Sequence, residues 1–166
     1  MKPHWDALKS TCSILFEAVN RFDKDGVEIY FTVSEDSQRA QHINKTDALD
    51  SILSTRRPQN IPCDMSNRLD VIVQAYNHRL RKRYSDSGLL SFLDFFKRPV
   101  RPMSIYILTD GQWQDNPESV IQRLAYQLEA LELSERQIGL QFISFGDDHA
   151  ALERLKHLSD DILTTM

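Results

Sequence analysis

An α/β domain, with a doubly wound and mostly parallel sheet flanked by helices on both faces, is the fold class that this chain of 166 residues predicts. Alternation is the main sign: β-branched, apolar runs of strand length are separated by stretches of helical periodicity, and strands joined through helices pair in parallel. The runs from Met103 to Thr109 and from Ile138 to Phe145 are mostly apolar, as strands covered on both faces are. Each ends in an Asp/Gly turn, at Asp110-Gly111 and Gly146-Asp147. Acidic side chains are thereby set where strands leave the sheet, the edge at which open α/β sheets bind ligands.

The elements follow in order. Trp5 to Arg21 spaces Leu8, Cys12, Leu15, Phe16 and Val19 as an amphipathic helix does. Asp23-Lys24-Asp25-Gly26 is a turn into a strand from Val27 to Val33, rich in β-branched and aromatic residues. Ser34 to Lys45 is polar, with a short edge strand near His42-Ile43. Thr46 reads as the N-cap of a helix to Leu53, and Pro58 and Pro62 break the loop beyond it. Ser66 reads as the cap of a helix to about Arg81, with Leu69, Ile72, Val73 and Tyr76 on one face. Leu89 to Phe96, "LLSFLDFF", is an aromatic-rich insert, and the strand from Met103 follows Pro99 and Pro102. Asn116-Pro117-Glu118 opens a helix to about Leu133, with proline at the first helical position and Glu at the positive end of the dipole. After the strand from Ile138, Gly146-Asp147-Asp148 turns the chain into a helix from His149 to Leu158. The order is α-β-(β)-α-α-β-α-β-α, and the length suits one domain over residues 1–166. The chain opens on a helix where an α/β domain ordinarily opens on a strand, and it stops soon after another helix. Both ends read as truncated.

Composition excludes several classes. With 41% hydrophobic and 27% charged residues the chain reads as globular and soluble, not disordered. A net charge of −4 gives no basis for nucleic-acid or anionic-membrane partners. No apolar run approaches the ~20 residues that span a bilayer. The start, MKPHWDALKS, lacks the apolar core of a signal peptide. Cys12 and Cys63 are far apart and have no CxxC partner, which suits two free thiols in a reducing compartment. The expected location is intracellular and cytoplasmic.

Most motif readings fail on their own chemistry. Placing Gly26 at the sixth position of an EF-hand puts Arg21 first and Thr32 twelfth, where acidic ligands are needed. Arg79, Arg81, Lys82 and Arg83, with only Tyr84 interleaved, read as a solvated helix end. There is no GxGxxG, GxxxxGKS, GxSxG or HExxH, and Cys63 has no activating base nearby in sequence. Asp110 remains, as either the first residue of a turn or a ligand-facing carboxylate.

Four segments, "FDKDGVEIYF", "PCDMSNRLDVIV", "SIYILTDGQWQDNPESVIQRLAYQL" and "RQIGLQFISFGDDHAALERL", resemble in order and spacing the von Willebrand factor type A domain, and most closely its intracellular, fungal-type members. The resemblance runs from Trp5 to Leu163. It implies a sheet of about six mostly parallel strands with a metal-ion-dependent adhesion site at its carboxyl edge. In that family the site takes a DxSxS loop after the first strand, a Thr from a second loop and an Asp after the central fourth strand, which together suit Mg²⁺ as a hard, octahedral cation. Asp110 in "ILTDG" matches the third-loop Asp. The second-loop Thr falls on Cys63, a soft thiol, with Asp64 or Ser66 as substitutes. The DxSxS loop and the central strand before it have no counterpart here; they would lie before Met1.

The expectation is therefore a non-enzymatic protein-interaction module with a degenerate metal site. Asp110 is its vestigial carboxylate, and no cofactor is held by these residues alone. Partner contact is expected at Cys63, Asp64, Ser66, Asp110, Gln112 and Trp113, with Trp113 either an exposed hot spot or packed under its loop. One alternative is a Mg²⁺-dependent adhesion-type domain completed by upstream residues. Another is an enzyme of a different doubly wound family, with Asp110 as base or nucleophile. The absent strand leaves its neighbours with unpaired backbone groups. The gene start is then misplaced or the chain a fragment, or its sheet closes without that strand, or it borrows one from a partner.

Overall fold

The computed structural model describes residues 1–23, 25–32, 40–58, 63–84 and 99–165. The Leu89–Phe96 insert, Val33, Lys24 and Pro62 lie outside the described residues. Among the described residues the structure is mixed α/β, with five α-helices and four strands. After a 3-10 turn at Lys2–His4 come α1 (Trp5–Asn20), β1 (Val27–Ile29), β2 (Ala40–Ile43), α2 (Thr46–Thr55), α3 (Met65–Tyr84), β3 (Met103–Thr109), α4 (Glu118–Ala130), β4 (Ile138–Ser144) and α5 (His149–Thr165). This is the order read from hydrophobic periodicity. No helix among the described residues is long and apolar enough to cross a membrane.

The strands form two separate pairs. β3 and β4 run parallel in unbroken register, from Met103 opposite Ile138 to Thr109 opposite Ser144. β1 and β2 run antiparallel with an irregularity between Val27 and Ile29. The expectation of one mostly parallel sheet is met only at β3 and β4. The core divides in the same way. Around β3 and β4, Met65, Leu69, Val73, Tyr76 and Leu80 of α3 pack against Val120, Ile121, Leu124 and Leu128 of α4, with Leu158 of α5. Around β1 and β2, Phe16 of α1, Ile43, Leu49 and Leu53 form a second cluster with Cys12, Val27, Ile29 and Ile52. Every apolar stripe has helical spacing, so each helix forms by covering the strand pair beside it.

Several boundaries moved, for identifiable reasons. β1 ends at Ile29, four residues short of the expected strand. Thr46 is the first residue of α2, and its predecessor Lys45 makes no side-chain cap. Asp64, not Ser66, caps α3: its Oδ1 accepts the Asn67 N–H at 3.2 Å and its carbonyl accepts the Arg68 N–H at 3.3 Å. Pro117 is the N-cap of α4 rather than its first residue, and the Asn116 carbonyl Oδ1 accepts the Glu118 N–H at 2.9 Å. Beyond Ala130, Glu132 adopts a left-handed φ of 52° and ends the helix before Leu133. Asp148 caps α5 through the Ala150 N–H at 2.9 Å, and the helix runs past Leu158 to Thr165.

A buried knot holds the amino ends of β3 and β4 to α3. The Tyr76 hydroxyl donates to the Arg101 carbonyl at 2.7 Å and accepts from Gln137 Nε2 at 2.7 Å. Gln137 Nε2 also donates to the Val100 carbonyl at 3.0 Å. Burial foremost, offset in part by the Gln137 bond, raises the Tyr76 pKa.

Candidate functional site

The carboxyl edge of β3 and β4 is built by short-range turns. Thr109 Oγ1 accepts the Gly111 N–H at 3.0 Å, and Asp110 Oδ1 accepts the Gln112 N–H at 3.3 Å. Gly111 sits at φ 72°, a conformation side chains disfavour, and a Cβ there would stand 2.4 Å from the Ala151 Cβ on α5. The Thr-Asp-Gly sequence thus stops the strand and lets α5 approach the loop. Gly146, at φ 100°, does the same after β4: a Cβ would lie 2.9 Å from His4 Nε2. The amino end of the chain is thereby packed onto this edge, and the Met1 ammonium ion-pairs with Asp110 Oδ2. Asp110 serves both as a turn residue and as a carboxylate holding a cation.

The loop before α3 joins the same edge. The Ser66 N–H donates to Asp115 Oδ2, and the Ser66 hydroxyl donates to the Asn116 carbonyl at 3.3 Å. These bonds tie the start of α3 to the β3–α4 loop across about fifty residues of sequence. Cys63 is half-buried, close to Asp64, Asp115 and the Thr32 hydroxyl. Burial raises its pKa most; the Thr32 hydrogen bond opposes this, and the two carboxylates push it further up. The thiol is therefore held protonated, the opposite of an activated nucleophile.

Of the six residues expected to meet a partner, Asp64 and Gln112 are exposed, and Cys63, Ser66 and Asp110 are intermediate. Trp113 is only 8% exposed and belongs to the core around α3 and α4. The Arg154 guanidinium lies 5.9 Å from its ring centroid, and Arg154 Nη1 donates to the Trp113 carbonyl at 3.3 Å. Of the two readings of Trp113, the structure has the packed one. Three contributors had no sequence signal. Asp115 precedes the expected helix start at Asn116, Thr32 falls within the expected Val27–Val33 strand, and Arg154 falls within the expected helix from His149.

The residues present do not fit Mg²⁺. Asp110 Oδ2 is engaged by an ammonium, Asp64 caps α3, Asp115 Oδ2 receives the Ser66 N–H, and the position matching the family's Thr is a thiol. Asp64 Oδ1 and Asp115 Oδ2 serve backbone N–H donors, and a soft thiol is a poor ligand for a hard cation. Among the described residues no group of three His, Cys, Asp or Glu side chains converges as a metal site does.

Comparison of the chain with protein-family models, with curated proteins and with solved structures returned no match.

Proposed function

We propose that this chain is a non-enzymatic protein-interaction module, built as a variant of the von Willebrand factor type A plan in which the helices cover a doubly wound sheet. Its binding surface is the rim at the carboxyl edge of β3. Asp64 and Gln112 are exposed on that rim, and Ser66 and Asp110 are half-buried there. One observation carries the reading. The β3–α4 loop and the start of α3 are braced to each other by Ser66, Asp115 and Asn116, yet the chemistry beside them is quenched. The Cys63 thiol is held protonated and the Asp110 carboxylate is engaged in its own turn by the Gln112 N–H. A rigid polar rim without an activated group suits recognition rather than turnover, because preorganised side chains lose less entropy on binding.

The test is binding by the purified chain against an Asp64→Asn, Gln112→Ala double variant, which removes the charge and keeps an α3 cap. A protein captured by the first and lost by the second, with unchanged melting of both, supports the reading. Equal capture by both sinks it. The metal site is checked separately by melting the chain in EDTA and in millimolar Mg²⁺. Coincident curves are expected; a Mg²⁺-dependent rise that disappears in Asp110→Ala would show a working adhesion site, since a ligand of the native state raises its midpoint.

A further inference from the structure

We propose that Arg154 is the anchor of the rim, and that its guanidinium takes a side-chain carboxylate, Asp or Glu, from a partner protein. The proposal rests on the reading of this rim as a binding surface and names the chemistry that the surface recognises. Three contacts hold the Arg154 side chain where α5 meets the β3–α4 loop. Nε donates to the Ala150 carbonyl at 3.3 Å, and Nη1 donates to the Trp113 carbonyl at 3.3 Å. The guanidinium carbon lies 5.9 Å from the centroid of the Trp113 ring. Gly111 permits this approach, because a Cβ there would stand 2.4 Å from the Ala151 Cβ on α5. The guanidinium is thereby fixed on a loop whose preceding residue, Gln112, is exposed.

Its charge has no counterpart. Arg154 is exposed, and among the described residues no carboxylate ion-pairs with it. Arg101 and Arg123, by contrast, are each held by an aspartate. Nor does α5 supply an acid at helical spacing: the neighbours of Arg154 are Ala150 and Ala151 before it, and His157 and Leu158 after it. A guanidinium carries five N–H donors in a flat fork, and a carboxylate takes two of them in parallel. The two carbonyls engage one donor on Nε and one on Nη1, so both donors of Nη2 stay unengaged.

Folding has already ordered this side chain, so a partner loses little further rotamer entropy by binding it. Arginine is also among the residue types on which interface affinity concentrates. The surrounding charge selects the occupant. The same edge carries Asp64, Asp110, Asp147 and Asp148. A polyanion, nucleic acid or anionic membrane, meets these carboxylates together with the arginine and is repelled, and the net charge of −4 acts in the same sense. One carboxylate among basic neighbours on a protein surface matches both signs, and complementarity of this kind decides which partners are accepted.

The probe is a displayed library of random peptides, selected on the full chain. Enrichment of peptides that hold an Asp or Glu beside Lys or Arg is expected. Replacing that acid by its amide in a selected peptide should weaken binding to the parent about tenfold and leave binding to Arg154→Gln unchanged, because there the pair is already broken. The peptide arm alters nothing in the protein, so it decides the matter even if Arg154→Gln fails to fold. Arg154→Lys keeps the charge, loses the fork and should bind several-fold more weakly than the parent. Equal binding of acid and amide peptides by the parent overturns the proposal, as does selection of no acidic peptide. Tighter binding of a phosphoserine version would mean a phosphorylated partner and overturns it too. So does loss of the peptides by a chain extended upstream of Met1, whose own residues would then hold Arg154. The Asp64→Asn, Gln112→Ala variant separates this from the reading beneath it. If that variant loses the peptides while acid and amide bind the parent alike, the rim binds and only the role of Arg154 falls. If it keeps them with the preference for the acid intact, Arg154 binds and the wider rim does not.

Discussion

Asp64 shows how much a single carboxylate decides at this edge. Its Oδ1 closes the first turn of α3 through Asn67, and its Oδ2 lies 3.2 Å from Asn67 Nδ2. Asp64→Ala should cost about 1 kcal/mol of stability, and Asp64→Asn should restore most of it, as capping exchanges do. Urea midpoints of the three proteins check this; equal midpoints would mean that α3 starts without help from residue 64. Gly111 carries a larger penalty. Ala at this position must adopt φ 72° with its Cβ driven into Ala151. Strain and overpacking together should cost about 3 kcal/mol, or a fall of about 10 °C in Tm for a chain of this size. A melt of Gly111→Ala within a degree or two of the parent would show that α5 does not rest on the loop.

Between elements, the contacts that matter are polar and remote in sequence. Tyr76 of α3 reaches both the approach to β3 and the turn before β4, so it sets the amino ends of the two strands level. Tyr76→Phe leaves the Arg101 carbonyl without its donor and removes the acceptor at Gln137. A loss of about 1–2 kcal/mol is expected, because burying an unsatisfied group costs more than the net value of one bond. Faster amide exchange at Met103 and Ile138, with α5 unaffected, is the local signature to look for. Exchange that rises uniformly would instead mean that the knot is no more than part of the general core. Ser66 with Asp115 and Asn116 makes the corresponding brace at the opposite edge of the parallel pair.

For the protein as a unit, two half-buried thiols and the buried Tyr76 hydroxyl give a common pH response. Burial raises the pKa of Cys12, Cys63 and Tyr76. The folded state therefore keeps protons that the unfolded chain releases above about pH 9. Stability is fully present below the thiols' ordinary pKa and is lost as pH climbs through their raised folded values. Urea midpoints at about pH 8 and about pH 10 should show a fall, smaller in Cys63→Ala than in the parent. A flat profile, or an identical fall in the variant, would show that the thiols ionise as freely in the folded state as in the unfolded one. The division of the core into two clusters belongs to this scale too. Each strand pair is covered by its own helices, and among the described residues the halves are joined by Arg101 with Asp23 and Asp25, by Thr32 with Cys63, and by Met1 and His4 on the carboxyl edge.

Local chemistry made much of this legible in the chain itself. The period of apolar residues along α1, α3 and α4, the β-branched runs of β3 and β4, and the Thr-Asp-Gly stop all act within a few residues, so the element order and the bounds of β3 could be read directly. Asp110 at the end of β3 was legible for the same reason. Folding alone decided whatever depends on partners distant along the chain. Trp113 is buried because Arg154 and the helices α3 and α4 close over it, some forty residues from the nearest of those contacts in α5. Asp64 rather than Ser66 is the cap because α3 begins at Met65, and the Ser66 hydroxyl donates instead to the Asn116 carbonyl of the β3–α4 loop. The strands separated into two pairs because pairing is chosen by which edges meet in space, and no periodicity within one strand encodes its neighbour.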